Sequence, residues 1–133
     1  MLKETIVDNE SITMWYYPNE KIIAHRVHKF IRGQILRDAL LKGTEVLKQN
    51  GAQKWLSDDR NNVAIPAAEL EWGKTVWVFQ AMEAGWKYWA LVQPEMVIGQ
   101  LSMRRLIQSY AEVGLIVQLF SDPEKALEWL NSV

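Results

Sequence analysis

Two patterns of apolar and polar residues alternate along this chain, and together they divide it into successive structural elements. Short segments rich in β-branched and aromatic side chains predict five strands, at residues 11–17, 21–27, 53–58, 86–92 and 115–120. Segments with apolar residues three and four positions apart predict four helices, at residues 32–50, 66–84, 97–113 and from 123 onward. Glycine follows each of the first three helices, and proline lies at the start of the second and fourth helices. These residues support the predicted bounds.

The order of these elements predicts the fold class. The turn sequence Pro18-Asn19-Glu20 joins the first two strands, which are expected to form an antiparallel hairpin. After the hairpin, strands alternate with helices, and this favours parallel pairing. We therefore predict an α/β fold with a five-stranded mixed sheet and four helices, in one domain over residues 1–133. Residues 1–10 are expected to be a loose N-terminal extension, and residues 86–92, apolar on both faces, a central strand.

The composition narrows the classes of partner and chemistry. Apolar residues make up 49% of the chain and charged residues 23%, a globular balance. The net charge of −1 offers no overall basic field for nucleic acid. The chain has no cysteine, which excludes disulfides and thiolate chemistry, and no apolar run approaches the roughly 18 residues that span a bilayer. We expect a cytoplasmic protein with no cofactor, no metal, no nucleic-acid partner and no membrane span.

Four segments show a resemblance to a known family: residues 55–61 (Trp-Leu-Ser-Asp-Asp-Arg-Asn), Trp72, residues 85–95 and residues 120–130. In these segments and in its order of elements, the chain resembles the STAS domain. This is the fold of anti-sigma-factor antagonists and of the cytoplasmic tails of sulfate transporters. More narrowly, it resembles small bacterial proteins of the STAS/SEC14-like group. The resemblance covers nearly the whole chain after Ser11 and implies a regulatory or ligand-binding role.

One departure from the family pattern limits what the resemblance implies. STAS antagonists of the regulatory type have Asp-Ser-Ser or Asp-Ser-Thr followed by glycine before the helix after the third strand, and a partner kinase phosphorylates the serine. The corresponding residues 63–68 are Val-Ala-Ile-Pro-Ala-Ala, without a hydroxyl group. A phosphoserine switch of that kind is not expected here, and Ser57, which lies earlier within a strand, is a poor substitute.

The loop after the third predicted strand contains Asp58, Asp59, Arg60, Asn61 and Asn62. Two carboxylates at a strand end could bind a hard cation or act as acid and base. Alternatively, Asp58 pairs with Arg60 or caps a turn, and the sequence favours this second interpretation. Some partner is expected in both cases, because an unpaired buried charge costs several kcal/mol.

A basic segment with His28, Lys29 and Arg32 leads into the first predicted helix. Helix N-termini attract anions, and basic side chains reinforce this, although a solvated basic connection is the simpler interpretation. If the second and third strands are parallel neighbours, this segment shares one sheet edge with the acidic loop and with Gln93 and Glu95. That arrangement predicts a site for a small anionic ligand.

The second predicted helix is apolar on nearly all sides. Trp72, Val76 and Phe79 share one side, and Trp77 belongs to the other. A helix of this kind contacts more than one surface. These four side chains are therefore candidates for a protein interface, with an aromatic core as the alternative.

No nucleophile elbow, phosphate-binding glycine loop, zinc-ligand spacing or dinucleotide fingerprint occurs in the chain. We predict a non-enzymatic regulatory or protein-interaction domain of the STAS-like type, which binds another protein or self-associates as a homodimer. The alternative is a carrier or sensor of a small anionic or lipid ligand. A lipid carrier would need an apolar cavity of about a few hundred cubic ångströms.

Overall fold

The computed structural model describes residues 1–133 and contains six strands and four helices. The strands are β1 (Glu4–Asp8), β2 (Ile12–Tyr17), β3 (Ile22–Val27), β4 (Lys54–Asp58), β5 (Tyr88–Val92) and β6 (Ile116–Phe120). The helices are α1 (Gly33–Gln49), α2, α3 (Val97–Glu112) and α4 (Pro123–Ser132). Helix α2 is continuous and consists of α-helical Ala67–Trp72, a π-helical turn Gly73–Trp77 and α-helical Val78–Glu83.

The six strands form one mixed sheet, in which they lie in the same order as in the chain. The pairs β1–β2 and β2–β3 are antiparallel, and β3 to β6 are parallel. Right-handed crossovers that all advance in one direction place α1, α2 and α3 on one face of the sheet. Trp77 and Met103 pack in the core of that face, whereas Ala126 and Leu130 of α4 pack in a separate core on the other. The predicted α/β class, with an antiparallel hairpin followed by parallel strands, is confirmed.

The predicted count of five strands is wrong, because β1 adds a sixth within the segment expected to be loose. β1 pairs with β2, and its register shifts between Thr5 and Val7. An irregularity of this kind interrupts the two-residue period of a strand. Ile6 and Val7 are also only half-buried at this sheet edge, so the apolar signal of β1 is weak.

The central position predicted for residues 86–92 is confirmed by β5, which lies between β4 and β6. Trp89 and Leu91 belong to the core under α1, α2 and α3, and Ala90 and Val92 to the core under α4. A strand covered on both faces needs apolar residues at successive positions.

The π-helical turn within α2 was not predicted. Gly73, its first residue, lies against the ring of Tyr110 from α3, and a Cβ atom at this position would stand 2.5 Å from the Tyr110 hydroxyl oxygen. Glycine therefore permits a close approach of two helices that any side chain would oppose. Such turns are frequent at functional sites, and this one borders the cavity described below.

Candidate functional site

The carboxyl ends of β3, β4 and β5 lie side by side at one edge of the sheet. The parallel register aligns Arg26 at the end of β3 with Asp58 at the end of β4. The backbone N–H of Glu95, after β5, donates to the carbonyl oxygen of Arg60 at 3.2 Å. The basic segment, the acidic loop and the segment after β5 therefore meet at the same edge.

Asp58 is buried on the face of the sheet covered by α4. Its carboxylate accepts hydrogen bonds from Nε and Nη2 of Arg60, at 2.9 and 2.8 Å, and from Nε of Arg26 at 3.2 Å. Burial acts to raise the pKa of Asp58, but the hydrogen bonds from Arg60 and the charges of Arg60 and Arg26 outweigh it and lower that pKa. Asp58 is therefore a structural ion-pair partner whose oxygens are already occupied.

Asp59 points away from Asp58 and is buried on the opposite face, where its Oδ1 lies 3.5 Å from Nε2 of His25. The indole N–H of Trp55 donates to Nδ1 of the same imidazole at 3.0 Å. Because an indole nitrogen can only donate, Nδ1 is assigned as unprotonated, and the ring proton is assigned to Nε2, facing Asp59. The imidazole is then neutral, so the Asp59 carboxylate has no cationic partner within 4 Å.

Ser57, His25 and Asp59 lie on this same face and have the residue types of a catalytic triad. Their hydrogen bonding is different, because a triad histidine gives one nitrogen to the carboxylate and the other to the nucleophile. Here Trp55 occupies the second nitrogen. The Ser57 hydroxyl oxygen instead accepts a hydrogen bond from the indole of Trp89 at 2.9 Å. These residues form a polar wall, and no histidine nitrogen is free to activate Ser57.

A cavity of about 70 Å³ lies between this face of the sheet and helices α1, α2 and α3. Of its 17 lining residues, 11 are hydrophobic. Since one water molecule needs about 10–15 Å³ by this measure, the cavity has room for about five to seven non-hydrogen atoms. Asn62 lines the cavity at only 6% exposure, and its side-chain oxygen Oδ1 has no hydrogen-bond partner. An unsatisfied buried acceptor costs about 1–3 kcal/mol, so Asn62 is a polar group beside the cavity that the protein itself leaves unsatisfied.

A second buried carboxylate, Glu69, lies at the side of the cavity. It accepts hydrogen bonds from the backbone N–H of Gly33 at 3.1 Å and from Nε of Arg37 at 3.0 Å. The Arg37 guanidinium also stands 5.1 Å from the centre of a Trp72 ring, a cation–π distance. These contacts tie the start of α2 to the start of α1, and unlike Asp59, Glu69 has a cationic partner.

The basic segment does not line the cavity. Nε2 of His28 lies 2.7 Å from the Thr13 hydroxyl oxygen, and Nζ of Lys29 lies 3.3 Å from a carboxylate oxygen of Glu10. Arg32 is exposed immediately before α1. These side chains therefore contact the N-terminal hairpin or solvent.

The other candidates at this edge are also outside the cavity. Asn61 and Glu95 are exposed, and Gln93 is half-buried, with its backbone N–H donating to the carbonyl of Phe120 at 2.9 Å. Among the ligand-binding candidates from the sequence, only Asp59 lines the cavity.

The interface candidates of α2 divide into two pairs. Trp77 is buried, and its indole N–H donates to the Thr44 hydroxyl oxygen at 2.9 Å; Trp72 is half-buried, and both tryptophans line the cavity. Val76 and Phe79 are exposed on the outer side of α2. The tryptophans therefore build the cavity wall, and the other pair lies on the molecular surface.

Five polar residues that line the cavity were not among the predicted site residues: His25, Ser57, Asn62, Glu69 and Tyr110. One usable signal was the two-residue period of a strand, which places Ser57 and Asp59 on one face and Asp58 on the other. The remaining residues come from separate elements and had no such signal. Burial raises the pKa of the Tyr110 hydroxyl, so this group stays protonated at neutral pH.

Three findings concern metal binding, membrane spanning and similarity to known proteins. No group of three or more His, Asp or Glu side chains is placed to hold a metal ion. None of the helices has both the length and the apolar character needed to cross a bilayer. Comparisons with protein-family models, with curated proteins and with solved structures found no match for this chain.

Proposed function

We propose that this chain is a non-enzymatic binding domain of the STAS-like type, and that its cavity takes a small, mainly apolar ligand with a hydrogen-bond donor. Such a domain would act as a sensor or carrier. The succession of an antiparallel hairpin and parallel strands with crossover helices supports the STAS-like part of the proposal.

The observation that carries the binding function is that two buried hydrogen-bond acceptors without a strong partner lie beside a group of aromatic side chains. Asn62 Oδ1 has no partner, and Asp59 faces only a neutral imidazole. Both are buried in a cavity that is otherwise mostly hydrophobic. Ligand sites typically combine an apolar lining with a few polar groups that orient the ligand.

The size of the cavity limits the ligand. Sites for drug-sized molecules and lipids enclose roughly 300–1,000 Å³, whereas this one encloses about 70 Å³. A small molecule or the end of a larger one therefore fits better than an acyl chain. An anion is also poorly matched, because Arg60 is paired with Asp58 and Lys29 with Glu10.

The test uses NMR of the indole N–H groups of Trp77 and Trp89 during titration with a library of neutral, cationic and anionic molecules of up to about eight non-hydrogen atoms. We expect saturable shifts in the wild type and in Asn61→Leu, which alters an exposed neighbour. The shifts should be lost in Asn62→Leu, which removes the free acceptor and keeps the number of side-chain non-hydrogen atoms. Asn62→Leu should unfold at an equal or higher urea concentration, because an unsatisfied polar group is replaced. A wild type that shows no saturable shift with any compound would reject the proposal.

A specific surface feature supports protein interaction as a second candidate function. Met96, Val97, Ile98 and Leu101 at the start of α3 are each more than half exposed, and we call them the α3 patch. Contiguous exposed apolar groups are typical of association surfaces. The proposed partner is a second copy of the chain. Sedimentation of the wild type should detect a dimer at micromolar concentration. Ile98→Glu should weaken this dimer, whereas Val76→Glu, which adds the same charge on α2, should not. A wild type that remains a monomer at all concentrations would reject this candidate.

A further inference from the structure

Four aromatic side chains line the cavity: Trp72, Trp77, Trp89 and Tyr110. Trp72 and Trp77 are stacked, with ring centroids 6.4 Å apart and planes at 17°. The ring of Tyr110 lies 6.2 Å from that of Trp77 and 5.3 Å from that of Trp89. The faces of aromatic rings are electron-rich, and groups of such rings attract organic cations.

All formally charged side chains that line the cavity are acidic. Asp59 and Glu69 are its only charged side chains, and no lysine or arginine lines it. Arg37 offsets the charge of Glu69 from outside the lining, whereas the charge of Asp59 is not offset. His25 is neutral in the tautomer assigned from its hydrogen bond with Trp55. The cavity is therefore negative at Asp59.

The two buried tryptophans of the lining use their N–H donors within the protein. Trp77 donates to Thr44, and Trp89 donates to Ser57, both at 2.9 Å. An anion in the cavity would therefore meet no cationic side chain, and its hydrogen bonds would come from neutral groups such as the Tyr110 hydroxyl. Asn62 Oδ1 and the Asp59 carboxylate remain as acceptors for a ligand.

We infer that the cavity selects a small organic cation, an ammonium group with short alkyl substituents, over a neutral molecule of the same shape and over anions. This inference rests on the proposed binding function and names its ligand class. Asp59 supplies the opposite charge, and the aromatic rings contribute cation–π attraction in a mostly hydrophobic site. Asn62 accepts a hydrogen bond from an N–H of the ammonium group or, for a quaternary ammonium such as choline, from a hydroxyl on an alkyl substituent.

The experiment compares choline with its uncharged isostere, the alcohol in which a tert-butyl group replaces the trimethylammonium group. Acetate and inorganic phosphate serve as anionic probes, and the full chain is used at constant ionic strength. Binding is followed by the indole N–H shifts of Trp77 and Trp89. We expect choline to bind at least about tenfold more tightly than the alcohol. Asp59→Asn should weaken choline binding by about tenfold and leave the alcohol unchanged. Asp38→Asn, which removes the same charge from an exposed position on α1, should change neither.

Each outcome separates the ligand class from the binding function itself. If the alcohol binds as tightly as choline, or acetate or phosphate binds more tightly, the cation inference is overturned and the binding function stands. If none of the four probes binds, the cation inference is overturned, and the wider library decides the binding function. If Asp59→Asn fails to fold, the comparison of probes on the wild type still decides.

Discussion

Replacing Gly73 with alanine tests the close approach of α2 and α3 that shapes one side of the cavity. A Cβ atom at position 73 would lie 2.5 Å from the Tyr110 hydroxyl oxygen. The next nearest atoms are Cζ of the same ring, at 3.6 Å, and Cδ1 of Leu106, at 3.8 Å, both ordinary contact distances. The steric conflict therefore involves a single oxygen atom.

The size of the effect follows from two opposing contributions. Overpacking a buried site costs about 1–3 kcal/mol, whereas alanine is favoured over glycine in a helix by up to about 1 kcal/mol. Tyr110 is only 2% exposed, so its ring has little room to move. We expect Gly73→Ala to lower the free energy of unfolding by about 1–2 kcal/mol. With Tyr110→Phe the oxygen is gone, and the same change should be neutral or stabilise by up to about 1 kcal/mol.

The assay is urea unfolding followed by tryptophan fluorescence, for the wild type, both single variants and the double variant. Tyr110→Phe keeps the ring and should by itself cost less than about 1.5 kcal/mol. The coupling energy between the two positions should be about 1–3 kcal/mol, with the double variant more stable than the sum of the single changes predicts. Equal costs of Gly73→Ala in both backgrounds would refute the reasoning.

Three further predictions concern the adjacent residues Asp58 and Asp59 and the packing of α1. Asp58→Asn should cost about 2–3 kcal/mol at pH 7, less than a fully buried pair because its two arginines are partly exposed. Because the folded-state pKa of Asp58 is lowered, this stabilisation is complete well above the ordinary pKa of 3.8 and is lost as pH falls through the lower folded value. An equal difference in unfolding free energy between the wild type and Asp58→Asn at pH 3 and pH 7 would contradict this. Asp59→Asn should lower the free energy of unfolding by less than about 0.5 kcal/mol, or raise it, because the Asp59 carboxylate has no cationic partner. A loss of about 2 kcal/mol in urea unfolding would instead indicate that His25 is charged. Gly43→Ala should destabilise by about 1–3 kcal/mol in spite of helix propensity, because its Cβ would collide with the Trp55 ring and lie 2.7 Å from the Met14 sulfur; a rise in Tm would show that these side chains can yield.

Local sequence patterns were sufficient to predict the order of the elements after β1, the hairpin, the parallel strands and the central position of β5. These features follow from local patterns, because strand and helix periods record which side chains face a core. β1 escaped this reasoning, since it lies at a sheet edge, contains an irregularity, and has Ile6 and Val7 only half-buried. Local periodicity also separates Asp58 from Asp59, although it does not show what each of them contacts.

Which polar residues share a site depends on contacts between distant parts of the chain. The cavity brings together Ser57 from β4, Trp77 from α2 and Tyr110 from α3, positions far apart in the chain. The protonation assigned to His25 depends on a hydrogen bond from Trp55, thirty residues later. Pattern analysis reports whether a side chain is buried, whereas a cavity and its unpaired acceptors depend on how distant side chains fill space and satisfy one another's hydrogen bonds.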